Sequence, residues 1–275
     1  DDGYVYCLNT RSGRLVWKYR AGPSDEKVIG NGRMISLWPV RTSVLVDDGV
    51  VYATAGVFPY EGIYICALDA RAGGVIWKND TIGDHAHELH FNGISPHGYL
   101  IASEEILYVP SGRALPAAFD RGSGEFLYYM QPSGKSGGTW ALLEEDELIA
   151  GVDVSGVPRK VAYDVGTGEI TGDAYAFFPG IDLVTAPDVS YVATREGIFA
   201  LNREGYSIAE DEVGTREEEK RELRGRLRDL RGRLADADSQ TRKALDEQIE
   251  EIAGRISSLT EEQETIKAAS FKWEY

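Results

Sequence analysis

The chain has 275 residues, 43% hydrophobic and 27% charged, with 31 glycines, 10 prolines and 2 cysteines. This composition excludes a disulfide-stapled mini-protein, a collagen-like repeat and a wholly disordered chain, and no apolar run approaches the ~20 residues of a membrane-spanning helix. The formal net charge of −16 repels phosphate backbones, so nucleic acid is excluded as a general partner, while solubility and cationic or basic partners are favoured.

The first predicted element is a strand–turn–strand unit. Val5-Tyr6-Cys7-Leu8-Asn9 enters a turn closed by Gly13 and leaves through Leu15-Val16-Trp17. An Asn or Asp side chain accepts backbone N–H bonds within such a turn, and the glycine four residues on supplies a positive φ. The connection 21–42 holds Arg33, Trp38 and Arg41, a basic pair beside an indole that could bind an anionic or aromatic group. The alternative is that Trp38 packs and the arginines neutralise neighbouring carboxylates.

A hairpin over 43–53 turns at Asp47-Asp48-Gly49, and the first unit then returns as Tyr64-Ile65-Cys66-Ala67-Leu68-Asp69, with Gly73 and Trp77. All four histidines follow: His85, His87, His90 and His97. His85 and His87 alternate on one side of an extended segment, and His90 and Asp84 could converge on them to hold a transition metal, since neutral imidazole suits zinc, copper or nickel. A polar loop whose histidines bond to backbone or water is the other reading.

Further hairpins at 99–109, 140–150 and 181–192 alternate with further copies of the unit, around Asp120, Gly124 and Tyr128, around Asp164 and Gly168, and at Ile198–Asn202. Between them Gly134-Lys135-Ser136 is not a phosphate loop, because Tyr129 stands where its first glycine belongs. Nor does a nucleophile-elbow motif organise the serines. Two hairpins per repeat of ~45 residues predict an all-β fold, a β-propeller of four-stranded antiparallel blades with about four to five present. Connections between blades commonly face the central channel, which makes Arg33, Trp38, Arg41 and His97 ligand-facing candidates.

In the fifth copy the aromatic due near position 210 is absent, and Phe271-Lys272-Trp273 reads as the displaced strand. The inserted segment is helical. Leu223, Leu227, Leu230, Leu234 and Ala237 keep a 4-3 spacing, as do Leu245, Ile249, Ile252, Ile256 and Leu259. A break at 236–240 makes the two seams mirror one another, as an antiparallel coiled-coil-like hairpin requires, and the two limbs carry opposite net charge. A single helix with a stutter is the alternative. The expected organisation is blades over 1–212, a helical hairpin over 213–269 and a resumed strand over 270–275.

The pattern (Val/Ile)-Tyr-x-Leu-Asp-x-x-(Ser/Thr)-Gly-x-x-(Leu/Val/Ile)-Trp resembles the pyrroloquinoline-quinone-like (PQQ-like) β-propeller repeat, over roughly residues 1–205. That family includes quinoprotein alcohol dehydrogenases and non-catalytic relatives such as outer-membrane assembly lipoproteins, so the resemblance implies a fold rather than an activity. The dehydrogenases carry two adjacent cysteines beside the quinone, with a calcium or lanthanide ion. No Cys-Cys occurs here, and Cys7 and Cys66 point to opposite sheet faces by alternation, as core thiols.

The expectation is therefore a non-catalytic binding or scaffold module without PQQ, engaging protein partners through the propeller face and the hairpin, which also suits self-association. The alternatives are a quinone- or metal-dependent oxidoreductase, or a metal-binding propeller using the 85–97 histidines. The family resemblance implies an extracytoplasmic location. It also implies a longer parent protein, since such propellers carry seven or eight blades and only three full and two partial ones are read here; a signal peptide is absent from this stretch or has been lost.

Overall fold

A computed structural model of the protein describes residues 2–30, 32–83, 93–112, 116–130, 141–144, 146–154, 157–175, 182–194, 197–234 and 238–274, with 152–154, 157–159, 173, 239–240 and 271–274 described by backbone. Two compact units divide after Ala174. In the first, β1 (Tyr4–Leu8) pairs with β2 (Leu15–Arg20), and β3 (Lys27–Gly30) with β4 (Arg33–Ser36). Three four-stranded antiparallel sheets follow, each a meander in chain order. They are β5 (Leu45–Asp47), β6 (Val50–Ala55), β7 (Tyr64–Asp69) and β8 (Val75–Asn79); β9 (Ile101–Ala102), β10 (Ile106–Val109), β11 (Ala117–Asp120) and β12 (Phe126–Tyr129); and β13 (Ala141–Glu144), β14 (Glu147–Val154), β15 (Val157–Asp164) and β16 (Ile170–Asp173). The second unit holds β17 (Asp182–Ala186), β18 (Val189–Ala193), β19 (Ile198–Asn202) and β20 (Phe271–Glu274), with α1 (Arg203–Leu234) and α2 (Ser239–Ala269) between its last two strands. The protein is thus mostly β, in several small antiparallel sheets, with two long helices.

The repeated turn has one construction. Asp69 Oδ1 accepts the N–H groups of Arg71 (3.0 Å) and Ala72 (2.6 Å), and the Gly73 N–H closes onto the Asp69 carbonyl at 2.8 Å. Asn9, Asp120 and Asp164 do the same, and a register shift follows each turn. The aromatic eight residues on then reaches into the next repeat. Trp17 Nε1 donates to the Ala70 carbonyl at 3.0 Å, Trp77 Nε1 to the Arg121 carbonyl at 2.9 Å, and the Tyr128 hydroxyl to the Val165 carbonyl. Each acceptor directly follows the next turn's Asp, and its own N–H is held in turn by Gly49, Glu105 or Asp146. Each ring also covers the next turn's glycine. A Cβ at Gly73, Gly124 or Gly168 would lie 2.7, 2.3 or 2.7 Å from it. The period seen in the sequence is therefore a chain of latches between successive sheets. Around the second latch Trp77 joins Tyr52, Ile65, Leu107 and Phe119 in one core, each such fully buried side chain stabilising by roughly 1.5–3 kcal/mol.

The β3–β4 hairpin replaces what the sequence reading treats as a plain connection over 21–42. Val28 pairs with Ile35 and Ile29 with Met34 around an Asn31-Gly32 dipeptide, a composition strongly favoured in two-residue hairpin turns.

α1 begins at Arg203, ten residues before the boundary expected at 213. The reason is local. Asn202 caps the helix by accepting the Gly205 N–H at 2.7 Å, and Tyr206, Ala209 and Val213 bury a face before the leucine seam begins. Tyr206 stacks on Tyr175 with ring centroids 5.1 Å apart. Asp238 caps α2 through the Thr241 N–H, and Leu223, Leu227, Leu230 and Leu234 then pack against Leu245, Ile249, Ile252 and Ile256.

The Asn202 N–H donates to the Ser270 carbonyl at 3.1 Å, as the Asp69 N–H donates to the Gly74 carbonyl, and Trp273 pairs opposite Ala200 as Trp77 does opposite Ala67. The hairpin thus stands in place of a four-residue turn. Replacing 203–269 by Ala-Arg-Ala-Gly, the turn sequence of 70–73, is expected to remove the helical circular dichroism while a cooperative β-sheet melt persists. The expected loss is about 2 kcal/mol for the buried Tyr206. A non-cooperative melt would show that the helices fold the sheet rather than interrupt it.

Candidate functional site

The first strands of successive sheets come together in the first unit. Thr42, ahead of β5, forms a parallel bridge with Gly98, ahead of β9, and the Ser43 N–H donates to the Gly98 carbonyl at 2.9 Å. Beyond them β9 touches β13. Arg41 and His97 immediately precede the bridged residues, Arg41 exposed and His97 half-buried. Their backbone is well anchored. The His97 N–H donates to the Pro110 carbonyl (3.1 Å), Pro96 pairs with Ser111, and Ser95 Oγ donates to the Val57 carbonyl (2.7 Å). Behind Arg41, the Thr42 and Thr54 hydroxyls share a buried hydrogen bond of 2.9 Å. Arg41 and His97 thus hold neighbouring backbone positions on parallel segments, and a guanidinium and an imidazole are both groups that suit a carboxylate or another anionic group.

The other candidates stand apart from these two positions. Trp38 packs rather than presenting its ring: it is 8% exposed, lies edge-on to Tyr64, closes over Gly22, and donates its Nε1 hydrogen to the Glu61 carbonyl at 2.7 Å. Arg33 is exposed at the turn end of the β3–β4 hairpin, opposite Gly30. His85, His87 and His90 lie outside the described residues. Among the described residues no group of three His, Cys, Asp or Glu side chains is placed to hold a metal ion.

Both thiols are free. Cys7 is half-buried and Cys66 fully buried, among Val5, Val51, Ala53 and Leu68. Burial pushes the Cys66 thiol from its ordinary 9.0 up to about 12, outweighing the opposing pull of Lys78 and of the Ala53 backbone. The unfolded chain therefore gives up this proton before the folded one does. Its contribution to stability is complete below pH 9 and is lost as pH rises towards about 12. The half-buried Tyr19 and Tyr64 and the buried Tyr108 are raised by the same cause, so the thiol is isolated by difference. Cys66→Ala is expected to flatten the alkaline fall in unfolding free energy relative to wild type, measured by urea titration from pH 8 to 11. In the native protein a thiol reagent is expected to label Cys7 and leave Cys66 unmodified.

Two features escaped the sequence reading. Arg121, a turn residue, binds the Tyr52 hydroxyl (2.9 Å), the Ser103 carbonyl (2.7 Å) and Asp47, with its side chain only 14% exposed. It ties two sheets together, and no local pattern announces a partner 74 residues away. The second is an apolar surface on β3–β4, where Ile29 is 81% exposed and Met34 61%. Its signal was the Asn-Gly turn between two apolar pairs.

Residues 1–137 match the family profile of the outer membrane protein assembly factor BamB, a profile of PQQ-like repeats. Over these residues the chain is similar to the PQQ-like repeat family. The chain is 34% identical over 80 residues to BamB of Yersinia pestis, covering 29% of this chain and 18% of that protein. It is 30% identical over 96 residues to the quinohemoprotein alcohol dehydrogenase ADH-IIG of Pseudomonas putida, covering 32% of this chain and 11% of that protein. The chain therefore spans less than a fifth of either curated relative. Among solved structures, BamB from Moraxella catarrhalis aligns with a TM-score of 0.47 and 20% identity, over 74% of this chain and 56% of that one. The PQQ-like turn also recurs past the matched residues, since Asp164 and Gly168 reproduce the hydrogen bonds of Asp69 and Gly73. No described helix is long and apolar enough to cross a membrane.

Proposed function

We propose that this chain is a non-catalytic PQQ-like propeller module of about four to five blades, which binds a protein partner outside the cytoplasm through its propeller face and helical arm. The observation that carries this reading is the apolar surface of the β3–β4 hairpin. Ile29 and Met34, a facing cross-strand pair on one side of the hairpin, hold no core together, yet they stand exposed on a strongly acidic protein. Exposed apolar side chains grouped in this way are characteristic of interaction sites. The likeness to an assembly factor supports the same reading, and Arg41 and His97 add a polar anchor for an acidic group on the partner.

A photo-crosslinking amino acid at position 29 is expected to trap one defined protein adduct in cells, identified by mass spectrometry. The same probe at Arg11, an exposed turn residue, should trap none. Ile29→Glu should leave the melting curve unchanged and reduce trapping from a probe at position 34, on the same face, at least about tenfold. Equal trapping at 29 and 11 would sink the reading.

The alcohol dehydrogenase relative favours one second reading, a quinone- or metal-dependent oxidoreductase. Dye-linked alcohol oxidation after adding PQQ and calcium would support it. So would a transition metal seen in native mass spectra and lost in His85→Ala and His87→Ala, which would also make 85–90 a metal site.

A further inference from the structure

The two broad faces of the helical hairpin differ in how their charges are used. On one, Arg255 grips Glu219 (2.9 and 3.1 Å) and Glu262 (2.9 Å), and Arg216 binds Glu262 at 3.1 Å, so the charges are neutralised across the seam. Turning each helix from its buried seam towards the opposite side gives another pattern. On α1, Arg221, Arg224, Arg228 and Arg231 recur at 3-4-3 spacing and form one exposed row. On α2, Asp246, Glu250, Ala253 and Ser257 recur at 4-3-4 spacing, likewise exposed. Because the helices are antiparallel, both rows fall on the same side of the hairpin, opposite Arg255. Arg224 is held by Glu217 at 2.8 Å, and Arg221 has only a 3.9 Å contact with Glu218. Among the described residues Arg228, Arg231, Asp246 and Glu250 make no ion pair.

A basic row beside an acidic row on one face is self-complementary. Turning a second hairpin by 180° about an axis parallel to the helices sets its α1 under the first copy's α2, and its α2 under the first copy's α1. Every contact in such a two-fold arrangement occurs twice. The small side chains of Ala253 and Ser257, with Gly225 and Gly232 on the neighbouring back of α1, leave room for long guanidinium groups to reach carboxylates. A nucleic acid would meet the arginine row but also the acidic row and a net charge of −16, which disfavours it.

We propose that this face of the hairpin docks onto the same face of a second copy of the chain, the arginine row of each α1 lying on the acidic row of the other copy's α2. The pairing is independent of the propeller-face reading and is tested by mass alone.

Sedimentation equilibrium of the full chain at about 50 mM salt is expected to give twice the 30.3 kDa chain mass, falling towards the monomer at about 500 mM as charges are screened. Arg228→Glu with Arg231→Glu should weaken association at least about tenfold, and so should Asp246→Arg with Glu250→Arg. Both variants should keep wild-type helical circular dichroism, because the changed positions lie outside the seam. An equimolar mixture of the two variants should dimerise again, each reversed row meeting its complement. A wild-type monomer at low salt would overturn the proposal. So would a dimer indifferent to either reversal, a mixture that stays monomeric, or a monomer that instead binds heparin or an acidic peptide through Arg228 and Arg231.

Discussion

Truncating Trp77 to alanine is expected to cost about 3–5 kcal/mol of folding free energy, the range for removing a large aromatic from a core. Three losses combine. The ring, 8% exposed, fills the space among Tyr52, Ile65, Leu107 and Phe119, and its centroid lies 6.0 Å from that of Tyr52. It covers the Gly124 turn of the next sheet. Its Nε1 hydrogen also satisfies the Arg121 carbonyl, whose own N–H is already committed to the Glu105 carbonyl. Trp77→Phe keeps most of the ring and drops only the hydrogen bond, so about 1 kcal/mol is expected. Trp17→Ala removes the same bond from a ring that is only half-buried and should fall between these values. Urea denaturation midpoints at constant slope are the measurement. A Trp77→Ala cost below about 1 kcal/mol would mean that the latch decorates the sheets without joining them.

The second large effect separates backbone strain from the latch itself. Gly13 and Gly124 occupy the same turn position, with φ of 66° and 76°. An L side chain in that region costs roughly 1–2 kcal/mol at either site. Around Gly13 a Cβ meets nothing within 4 Å, whereas at Gly124 it would lie 2.3 Å from Trp77 Cε3. Overpacking of this kind adds about 1–3 kcal/mol. Gly13→Ala is thus expected to lose about 1–2 kcal/mol, and Gly124→Ala up to about 5 kcal/mol. The coupling is directly measurable. In a Trp77→Ala background the clash is gone, so Gly124→Ala should cost no more than Gly13→Ala does in wild type. If the two glycine variants were equal in wild type, ring-on-glycine packing would carry no energy.

Legibility in the sequence followed the distance between the residues that make each feature. The Asp-to-Gly turn is written in consecutive residues, because the carboxylate caps N–H groups only two and three positions ahead. The helical seam is nearly as local, since a 4-3 spacing forces one face whatever lies opposite. The start of α1 was harder. Asn202 serves at once as a turn residue of β19 and as a helix cap, and the repeat register concealed the second role. Among candidate site residues, Arg41 and His97 each sit one position before the bridged pair Thr42 and Gly98, while Trp38 has its partners in Gly22, Tyr64 and Glu61. Packing of Trp38 is one of the two readings the 21–42 segment allows, but Glu61 and Tyr64 lie beyond that segment, so these partners are not written in it.

By itself the sequence determined the repeat, the turns and the helical insertion, since each depends on hydrogen bonds and side-chain faces set by spacings of two to eight residues. Only the tertiary structure decided which aromatic caps which turn, that Arg121 joins two sheets, how far burial raises the Cys66 thiol, and which charges on the hairpin remain unpaired. Those properties depend on what is excluded from water and on what lies across a gap. They are set by residues distant along the chain, and no local spacing can encode them.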